Sequence, residues 1–170
     1  LIGKPNVGKS TIFNKLIKEK KSIIMDEPGI TRDRIYGIVN YNDKKFSLID
    51  TGGLTSESAD FNKEIRMQAE LAIDEADLIL FVVDGKYGLD ATDFYIKDLL
   101  RRTSKEVIVL VNKMDNKERL ANIYEFYELG FNTVIPVSGE HNIGFREVLD
   151  AITKDITNND SIENHIPKFC

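Results

Sequence analysis

The sequence is poor in cysteine and histidine, and these shortages exclude several kinds of site. Its one cysteine is Cys170, so no disulfide can form within the chain, and a reducing compartment is the simplest expectation. His141 and His165 are far apart, with no cysteine near His141, so we expect no zinc site. No apolar run approaches the length of a membrane-spanning helix. The sequence therefore predicts a soluble, cytoplasmic protein that makes no contact with a membrane.

Positive charge is also in short supply. The 170 residues include 23 Lys and Arg against 28 Asp and Glu, a net charge of −5, which argues against a surface built to neutralise nucleic-acid phosphates. A local basic patch stays open, because Lys15, Lys18, Lys20 and Lys21 cluster at the end of a predicted helix, where solvated cations are also typical. With 42% hydrophobic residues, the chain has enough apolar material for one compact core.

The clearest motif occupies residues 3–11 and reads Gly3-Lys4-Pro5-Asn6-Val7-Gly8-Lys9-Ser10-Thr11. The pattern GxxxxGKS between an apolar start and a helical period is typical of a phosphate loop. Its glycines let backbone N–H groups turn towards a phosphate, and the following helix adds the partial positive charge of its N-terminus. Lys9 would bind the β- and γ-phosphates, and Ser10 would place its hydroxyl on a magnesium ion that bridges them. We expect the chain to begin inside the strand that leads into this loop.

A long loop follows the first predicted helix. The stretch 20–34 contains a Pro-Gly pair and no sustained apolar period, and long loops in compact domains are often functional. Thr31 in this loop could close on the magnesium ion and sense the γ-phosphate, or it could be an ordinary loop threonine. The motifs downstream favour the first interpretation.

Two predicted strands, 35–41 and 45–49, form an antiparallel hairpin that leads into a second motif, Asp50-Thr51-Gly52-Gly53. Asp50 is placed to hold the magnesium shell through a water molecule, and the Gly53 amide could donate to a γ-phosphate. A DxxG pattern alone is weak, but its position downstream of a phosphate loop makes it strong. Leu54 follows where many nucleotide hydrolases have a glutamine that orients water, so intrinsic hydrolysis should be slow or use another device.

A third motif, Asn112-Lys113-Met114-Asp115, ends a predicted buried strand. The Asp115 carboxylate can accept hydrogen bonds from guanine N1–H and the 2-amino group, an arrangement that adenine cannot match. Asn112 would bridge towards the phosphate loop, the Lys113 stem would lie over the base, and Met114 would pack in the core. After the next strand, backbone amides of Ser138-Gly139-Glu140 could bind guanine O6. Together the motifs predict a guanine-nucleotide site.

The periodicity of the remaining segments predicts an α/β domain, and together with the motifs above it resembles a Ras-like P-loop GTPase domain. We expect a mixed six-stranded sheet with one antiparallel edge strand and helices on both faces, including one helix across 120–127. The domain should span 1–156 and be followed by a polar linker at 157–165. The last residues, 166–170, resemble the start of another strand.

With these motifs assembled, the chain resembles the translation-factor-like GTPases, and more narrowly the first GTPase domain of the Der (EngA) family of bacterial ribosome-assembly GTPases. The likeness covers nearly the whole chain, and beyond the motifs above it rests on the segments 29–37, 68–70, 81–85 and 125–130. In that family two GTPase domains are joined by a linker and followed by a KH-like domain, so 166–170 would begin the second GTPase domain. At Gly139 the family more often has alanine, which implies a looser base-binding turn here.

The resemblance also implies cofactors and partners. GTP and GDP would bind with Mg²⁺, and the partner would be the large ribosomal subunit or its RNA. Relatives with an apolar residue at the position of Leu54 use K⁺ held partly by the asparagine that matches Asn6, because a cation there stabilises charge on the γ-phosphate. Asn6 could instead only shape the loop, and Arg32 or Arg34 could act as a cationic finger in cis.

The resulting hypothesis is GTP hydrolysis by positioning and charge, without a side chain acting as general base. Four residues would supply the catalytic groups: Lys9, Asn6, Thr31 and Gly53. Three would hold magnesium, the last of them through water: Ser10, Thr31 and Asp50. One alternative is a nucleotide-dependent binding module of another translation-factor-like GTPase, Era- or TrmE-like, in which hydrolysis is incidental. Another is a phosphotransfer kinase on the same loop, against which the guanine-reading motif argues.

Overall fold

The computed structural model describes residues 1–18, 24–25, 35–51, 60–156 and 168–169. Its longer helices are α1 (Lys9–Lys18), α2 (Phe61–Glu75), α3 (Ala91–Leu100) and α5 (Phe145–Thr153), and a short α4 (Lys117–Ala121) leads into a 3₁₀ helix at Ile123–Leu129. Its strands are β1 (Ile24–Met25), β2 (Ile35–Tyr41), β3 (Lys44–Asp50), β4 (Leu78–Asp84), β5 (Glu106–Asn112), β6 (Thr133–Pro136) and β7 (Lys168–Phe169). Strands and helices alternate from β4 onwards, as expected for an α/β domain.

The strands form one sheet in the order β1-β2-β3-β7-β4-β5-β6. Strand β2 runs antiparallel to both β1 and β3, and the pairs from β3 to β6 are parallel. The predicted hairpin is therefore confirmed, but the predicted six-stranded sheet with an antiparallel edge strand is wrong. The described residues form seven strands, and β2 lies inside the sheet. The sequence pattern missed β1, because two residues are too few to show a period. It predicted strand character at 166–170, and Lys168–Phe169 of that segment joins this sheet as β7.

Two segments from opposite ends of the chain share the position between β3 and β4. Phe169 of β7 lies beside Leu48 and Leu78, while Ile2 forms an isolated parallel bridge with Phe81. The Ile2 amide donates to Leu80 O at 2.9 Å, and Ile2 O accepts from the Val82 amide at 2.8 Å. Buried backbone groups need hydrogen-bond partners, and each segment supplies them over only part of the length of β4. The expected first strand is thus one bridge long.

Hydrophobic side chains cover both faces of the sheet. Strand β4 is buried along its whole length, and its alternate residues point to opposite sides. Leu78, Leu80 and Val82 join the core against α1 and α5, and Ile79, Phe81 and Val83 join the core against α2 and α3. The predicted helices on both faces are confirmed. Among the described residues, no helix combines the length and the apolar character needed to cross a membrane.

The predicted single helix across 120–127 is wrong. Helix α4 ends at Ala121 with Asn122 as its C-cap, and a 3₁₀ helix follows from Ile123 to Leu129. The β-branched Ile123 and the aromatic residues after it have modest helix propensity, so nothing favours continuing the α-helix. Gly130 then ends the segment at a φ of 76°. The predicted linker lies outside the described residues, and the predicted domain boundaries stay predictions.

Candidate guanine-nucleotide site

The phosphate loop folds around the ammonium group of Lys9. Its Nζ donates to Gly3 O at 2.6 Å and to Lys4 O at 2.8 Å, and the side chain is buried at the start of α1. Burial lowers the pKa of Lys9 to about 8, although the charge of Asp50 acts in the opposite direction. Among the described residues, the Lys9 ammonium contacts two neutral carbonyls and forms no ion pair, so its charge is available to an anion.

Ser10 and Asp50 meet at the mouth of the loop, as the sequence predicted. The Ser10 hydroxyl donates to Asp50 Oδ2 at 3.1 Å, and the Asp50 side chain is otherwise buried at the end of β3. A hydroxyl and a carboxylate form an oxygen donor set of the kind that Mg²⁺ prefers. The residues present therefore fit a magnesium ion. Thr51, in contrast, turns inward, where its hydroxyl donates to Leu1 O at 2.6 Å.

Lys4 connects the loop to the start of α3. Its Nζ lies 2.6 Å from Asp90 Oδ2 and 2.9 Å from Asp93 Oδ2. Asp90 is the N-cap of α3, and Asp93 closes a capping box with it. The sequence predicts Lys4 as part of the phosphate loop, but it does not predict this contact with α3. The signal available was the spacing of two aspartates three residues apart before a helical period, which indicates a capped helix start.

Asn112 joins the two ends of the site. Its Nδ2 donates to Val7 O at 2.8 Å, and its Oδ1 accepts from the Gly139 amide at 3.0 Å. A Cβ on Gly8, whose φ is 96°, would lie 2.2 Å from Asn112 Nδ2, so this approach requires glycine. The side chain of Asn112 thus fixes the phosphate loop and the Ser138–Glu140 turn against one another. The predicted bridge from Asn112 to the phosphate loop is present.

Lys113 follows in a left-handed conformation with a φ of 65°. Its Nζ donates to Asp84 Oδ2 at 2.6 Å and to Asn6 O at 3.1 Å. Burial alone would raise the pKa of Asp84, but hydrogen bonds from Lys113 and from the Lys86 and Tyr87 amides hold it below its usual range. The Lys113 stem is therefore held across the cleft between β4 and the loop, while Met114 is buried in the core as predicted.

Two side chains that the sequence analysis missed contact Asp115. Arg119 Nη1 donates to Asp115 Oδ1 and, at 2.8 Å, to Lys113 O. On the other side, His141 Nε2 lies 3.1 Å from Asp115 Oδ2. The available signal for Arg119 was its spacing of four residues from Asp115 at the start of a helix. His141 had no comparable signal, because the turn that carries it becomes a neighbour of Asp115 only in the fold.

A cleft of about 400 Å³ lies between the phosphate loop and the motif after β5. The phosphate loop contributes Gly8 and Thr11, and the motif after β5 contributes three further predicted residues, Asn112, Lys113 and Asp115. Ser138 and Glu140 complete the predicted lining, and three residues were not predicted, namely Lys86, Tyr87 and Arg119. A cleft of this size, with convergent polar groups at the carboxyl ends of parallel strands, is typical of a nucleotide site.

Comparison with known proteins assigns the family. The model of the family described as 50S ribosome-binding GTPase matches residues 1–113, more than half of the chain. The chain belongs to this GTPase family. Its predicted class is confirmed, and so is the resemblance to Der, because the relatives found under that name are close in sequence over almost the whole chain.

Two such relatives show the extent of the match. The "GTPase Der" of Streptococcus sanguinis is 48% identical over 164 residues, which are 96% of this chain and 38% of the relative. That of Finegoldia magna is 44% identical over 173 residues, which are 100% of this chain and 40% of the relative. The chain thus spans about two fifths of the length of these curated relatives.

Solved structures support the fold of the GTPase domain. The G domain of the T. maritima FeoB iron transporter is 26% identical, has a TM-score of 0.65 and covers 90% of this chain and 94% of its own. The cytosolic domain of L. pneumophila FeoB is 28% identical with a TM-score of 0.67, covering 90% of this chain and 61% of its own. The chain is therefore a P-loop GTPase domain of α/β architecture with a largely parallel sheet.

The remaining predicted site residues of this GTPase domain have different outcomes. Pro5 and Asn6 are exposed at the tip of the phosphate loop, and Val7 is buried. The Gly139 amide, expected to bind guanine O6, donates to Asn112, so a base would have to share it or use the neighbouring amide. Four predicted residues lie outside the described part of the chain: Thr31, Gly52, Gly53 and Leu54.

Proposed function

We propose that this domain binds GTP with magnesium, hydrolyses it to GDP and phosphate, and acts as a switch in ribosome assembly. The observation that carries the proposal is the double contact of Asn112 with Val7 O and the Gly139 amide. These contacts bring a phosphate-binding loop and a carboxylate suited to guanine to the two ends of one cleft. A nucleoside triphosphate could bind both ends at once, with its phosphates at the loop and its base at the carboxylate.

Each end contributes a different interaction. The Lys9 ammonium binds the β- and γ-phosphates and stabilises the charge that develops as the γ-phosphoryl group leaves. The Asp115 carboxylate accepts from guanine N1–H and the 2-amino group, and the Lys113 stem lies along the base plane. Binding at both ends aligns the triphosphate for attack by water, so that much of the catalysis comes from positioning.

Magnesium would supply charge neutralisation at the bridging phosphate oxygens when it is bound. Ser10 and Asp50 are the described residues that would hold it, Asp50 through water. We assign the further ligand to Thr31 and the γ-phosphate contact to the Gly53 amide. Loss of the γ-phosphate would then release both residues, which is the switch.

Potassium is the proposed second cation, and Asn6 would hold it. Asn6 is exposed at the tip of the phosphate loop with a φ of 65°, and its carbonyl accepts from Lys113 Nζ, so its backbone position is fixed. Such a cation would offset the missing hydrogen-bonding capacity of Leu54.

The whole-protein role rests on the relatives named Der. We propose that residues 1–156 form the first GTPase domain of a longer protein and that 157–165 form a linker. Residues 166–170, whose strand β7 pairs here with β3 and β4, would begin a second GTPase domain followed by a KH-like domain. The large ribosomal subunit or its RNA would be the partner, in the cytoplasm. The family description as a ribosome-binding GTPase supports this assignment.

Turnover measurements test the proposal. We expect phosphate release from GTP to require magnesium and to exceed release from ATP, and binding of a fluorescent GDP to be displaced by GTP but not by ATP. A purified protein that ignores guanine nucleotides at every magnesium concentration would refute the function. For the potassium site, turnover in K⁺ should exceed turnover in Na⁺, and Asn6→Ala should remove the difference. Equal rates in the two salts would refute that site alone.

A further inference from the structure

We propose that Lys4 is a positioning residue, which clamps the phosphate loop to the N-terminus of α3 and so holds the Lys4 carbonyl in place for Lys9. The inference rests on the proposed function, since it concerns the same loop. It adds a connection from the nucleotide phosphates to α3 that the phosphate-loop motif does not contain.

The contacts of Lys4 are close and partly buried. Its Nζ is 2.6 Å from Asp90 Oδ2 and 2.9 Å from Asp93 Oδ2, and its side chain is 15% exposed. Asp90 is 55% exposed, whereas Asp93 is 0% exposed. The pKa of Lys4 is raised because the hydrogen bonds to both aspartates outweigh burial, which acts in the opposite direction. The ammonium is therefore held as the counter-ion of two carboxylates.

Capping of α3 does not explain why Asp90 and Asp93 contact Lys4. Asp90 Oδ1 accepts from the Thr92 and Asp93 amides, and Asp93 Oδ2 accepts from the Asp90 amide, so the capping box is complete without Lys4. Asp93 Oδ1 is buried and has no hydrogen-bond partner in the described part of the chain. A buried carboxylate that is only partly satisfied needs a nearby cation, and the phosphate loop provides it.

The backbone of Lys4 completes the connection to the phosphates. The Lys4 carbonyl accepts from Lys9 Nζ at 2.8 Å, so one residue binds α3 through its side chain and Lys9 through its main chain. If the Lys4 side chain loses its contacts with Asp90 and Asp93, the Lys4 carbonyl is no longer fixed in position, and Lys9 loses one of its two acceptors. Binding phosphate would then require the loop to be ordered again, which costs affinity.

The charge of Lys4 could instead act directly on the phosphates, and the two explanations predict opposite effects for one substitution. Asp90→Asn keeps an N-cap side chain but removes the exposed partner of Lys4. If Lys4 acts through its charge, its ammonium, now paired with Asp93 alone, should bind GTP more tightly. If Lys4 acts as a clamp, GTP binding should become weaker.

The experiment compares Lys4→Gln, Asp90→Asn and the double variant in the complete protein, by KM and kcat for GTP and by helical circular dichroism. We expect each single change to raise KM about fivefold with a much smaller effect on kcat, and the double variant to resemble either single one. Lys4→Arg should recover most of the affinity that Lys4→Gln loses. Asp98→Asn, which removes an acid on α3 that pairs with Lys97, serves as the matched control and should leave KM unchanged.

The outcomes separate this proposal from the function itself. A tighter KM in Asp90→Asn, an unchanged KM in both single variants, or effects that multiply in the double variant would each overturn the clamp. A parent protein without GTP turnover would instead overturn the proposed function. Variants that lose helical structure would be replaced by the weaker change Asp90→Ser, which retains a capping oxygen, and the same comparison would apply.

Discussion

The phosphate end and the base end of the site differ in whether their charged group already has a partner of opposite charge. At the phosphate end, the buried Lys9 ammonium is held by two neutral carbonyls, Gly3 O and Lys4 O. At the base end, the Asp115 carboxylate is already contacted by Arg119 and His141. The first end leaves its charge to be neutralised by the ligand, whereas the second end has its charge balanced before any ligand arrives.

This difference matches what each end must recognise. A triphosphate carries charge that is nearly the same from every direction, so a buried cation with no ion pair binds it strongly. A guanine base is neutral and is distinguished by the direction of its N–H groups, so the carboxylate must be oriented more than it must be charged. Arg119 and His141 each contact one carboxylate oxygen of Asp115, and Arg119 also lines the cleft, so guanine would share these oxygens with them.

The largest expected effect concerns the direction of hydrogen bonding at the base end. Asp115→Asn replaces one acceptor oxygen with a donor, which opposes the N–H groups of guanine and matches the carbonyl of xanthine. We expect GTP affinity to fall at least about a hundredfold and xanthosine triphosphate to bind better than GTP. Competition between the two nucleotides for the fluorescent-GDP site measures the change. Retained GTP affinity would show that Asp115 does not read the base.

Arg119→Ala tests whether orientation of Asp115 matters. The substitution removes contacts to both the Asp115 carboxylate and Lys113 O, and we expect GTP affinity to fall about tenfold, as for other residues that orient a binding group. Arg66→Ala removes an exposed pair of the same i,i+4 type with Glu70 and serves as the control. Equal effects of the two substitutions would mean that Arg119 contributes only helix stability.

The pKa of Lys9 predicts a pH effect that belongs to the phosphate end alone. Because the free protein has a Lys9 pKa of about 8 and bound phosphates favour the charged form, binding takes up a proton above that pH. We expect GTP affinity to fall about fourfold between about pH 7 and about pH 8.5. The Lys9→Arg variant, which stays protonated, should lose this dependence even if it binds GTP more weakly. Titrating GTP at several pH values measures both.

The same shift affects stability without nucleotide. Between about pH 8 and the ordinary lysine pKa of 10.5, the unfolded chain binds more protons at Lys9 than the folded protein does. The contribution of Lys9 to the free energy of unfolding therefore rises with pH across that window. It is lowest below pH 8, where the ammonium is charged and buried in the folded state.

The smallest expected effect concerns the contact between Gly139 and Thr11, where the turn after β6 meets the phosphate loop. A Cβ on Gly139 would lie 2.9 Å from Thr11 Cγ2, a contact that the exposed Thr11 side chain can relieve by a small movement. We expect Gly139→Ala to change GTP affinity about twofold or less. Thr11→Ser lacks that methyl group, so the double variant should recover the parent affinity. A loss larger than tenfold would mean that the turn tolerates no side chain at this position.

The site motifs were predictable from sequence because each is local. Lys9, Ser10 and Asp50 lie at spacings that a loop, a helix start and a strand end require, and the structure brings them together. Strand β4 was predictable because residues 78–83 are a continuous apolar run, as expected for a parallel strand covered on both faces. The helix break at Asn122 and the two-residue strand β1 were not predictable, because competing propensities there differ by little. The strand character of 166–170 was predictable, but the position of β7 between β3 and β4 depends on the fold.

The order of the residues by itself determined the class of this protein. Three motifs can be recognised from local chemistry alone: a phosphate loop, an acid at a strand end and a tetrapeptide that binds guanine. Their order along the chain indicates a GTPase. Tertiary structure decided which outside groups support them. Lys4 meets Asp90 and Asp93, and His141 meets Asp115, only because neighbouring parallel strands end at one edge of the sheet and bring distant loops together.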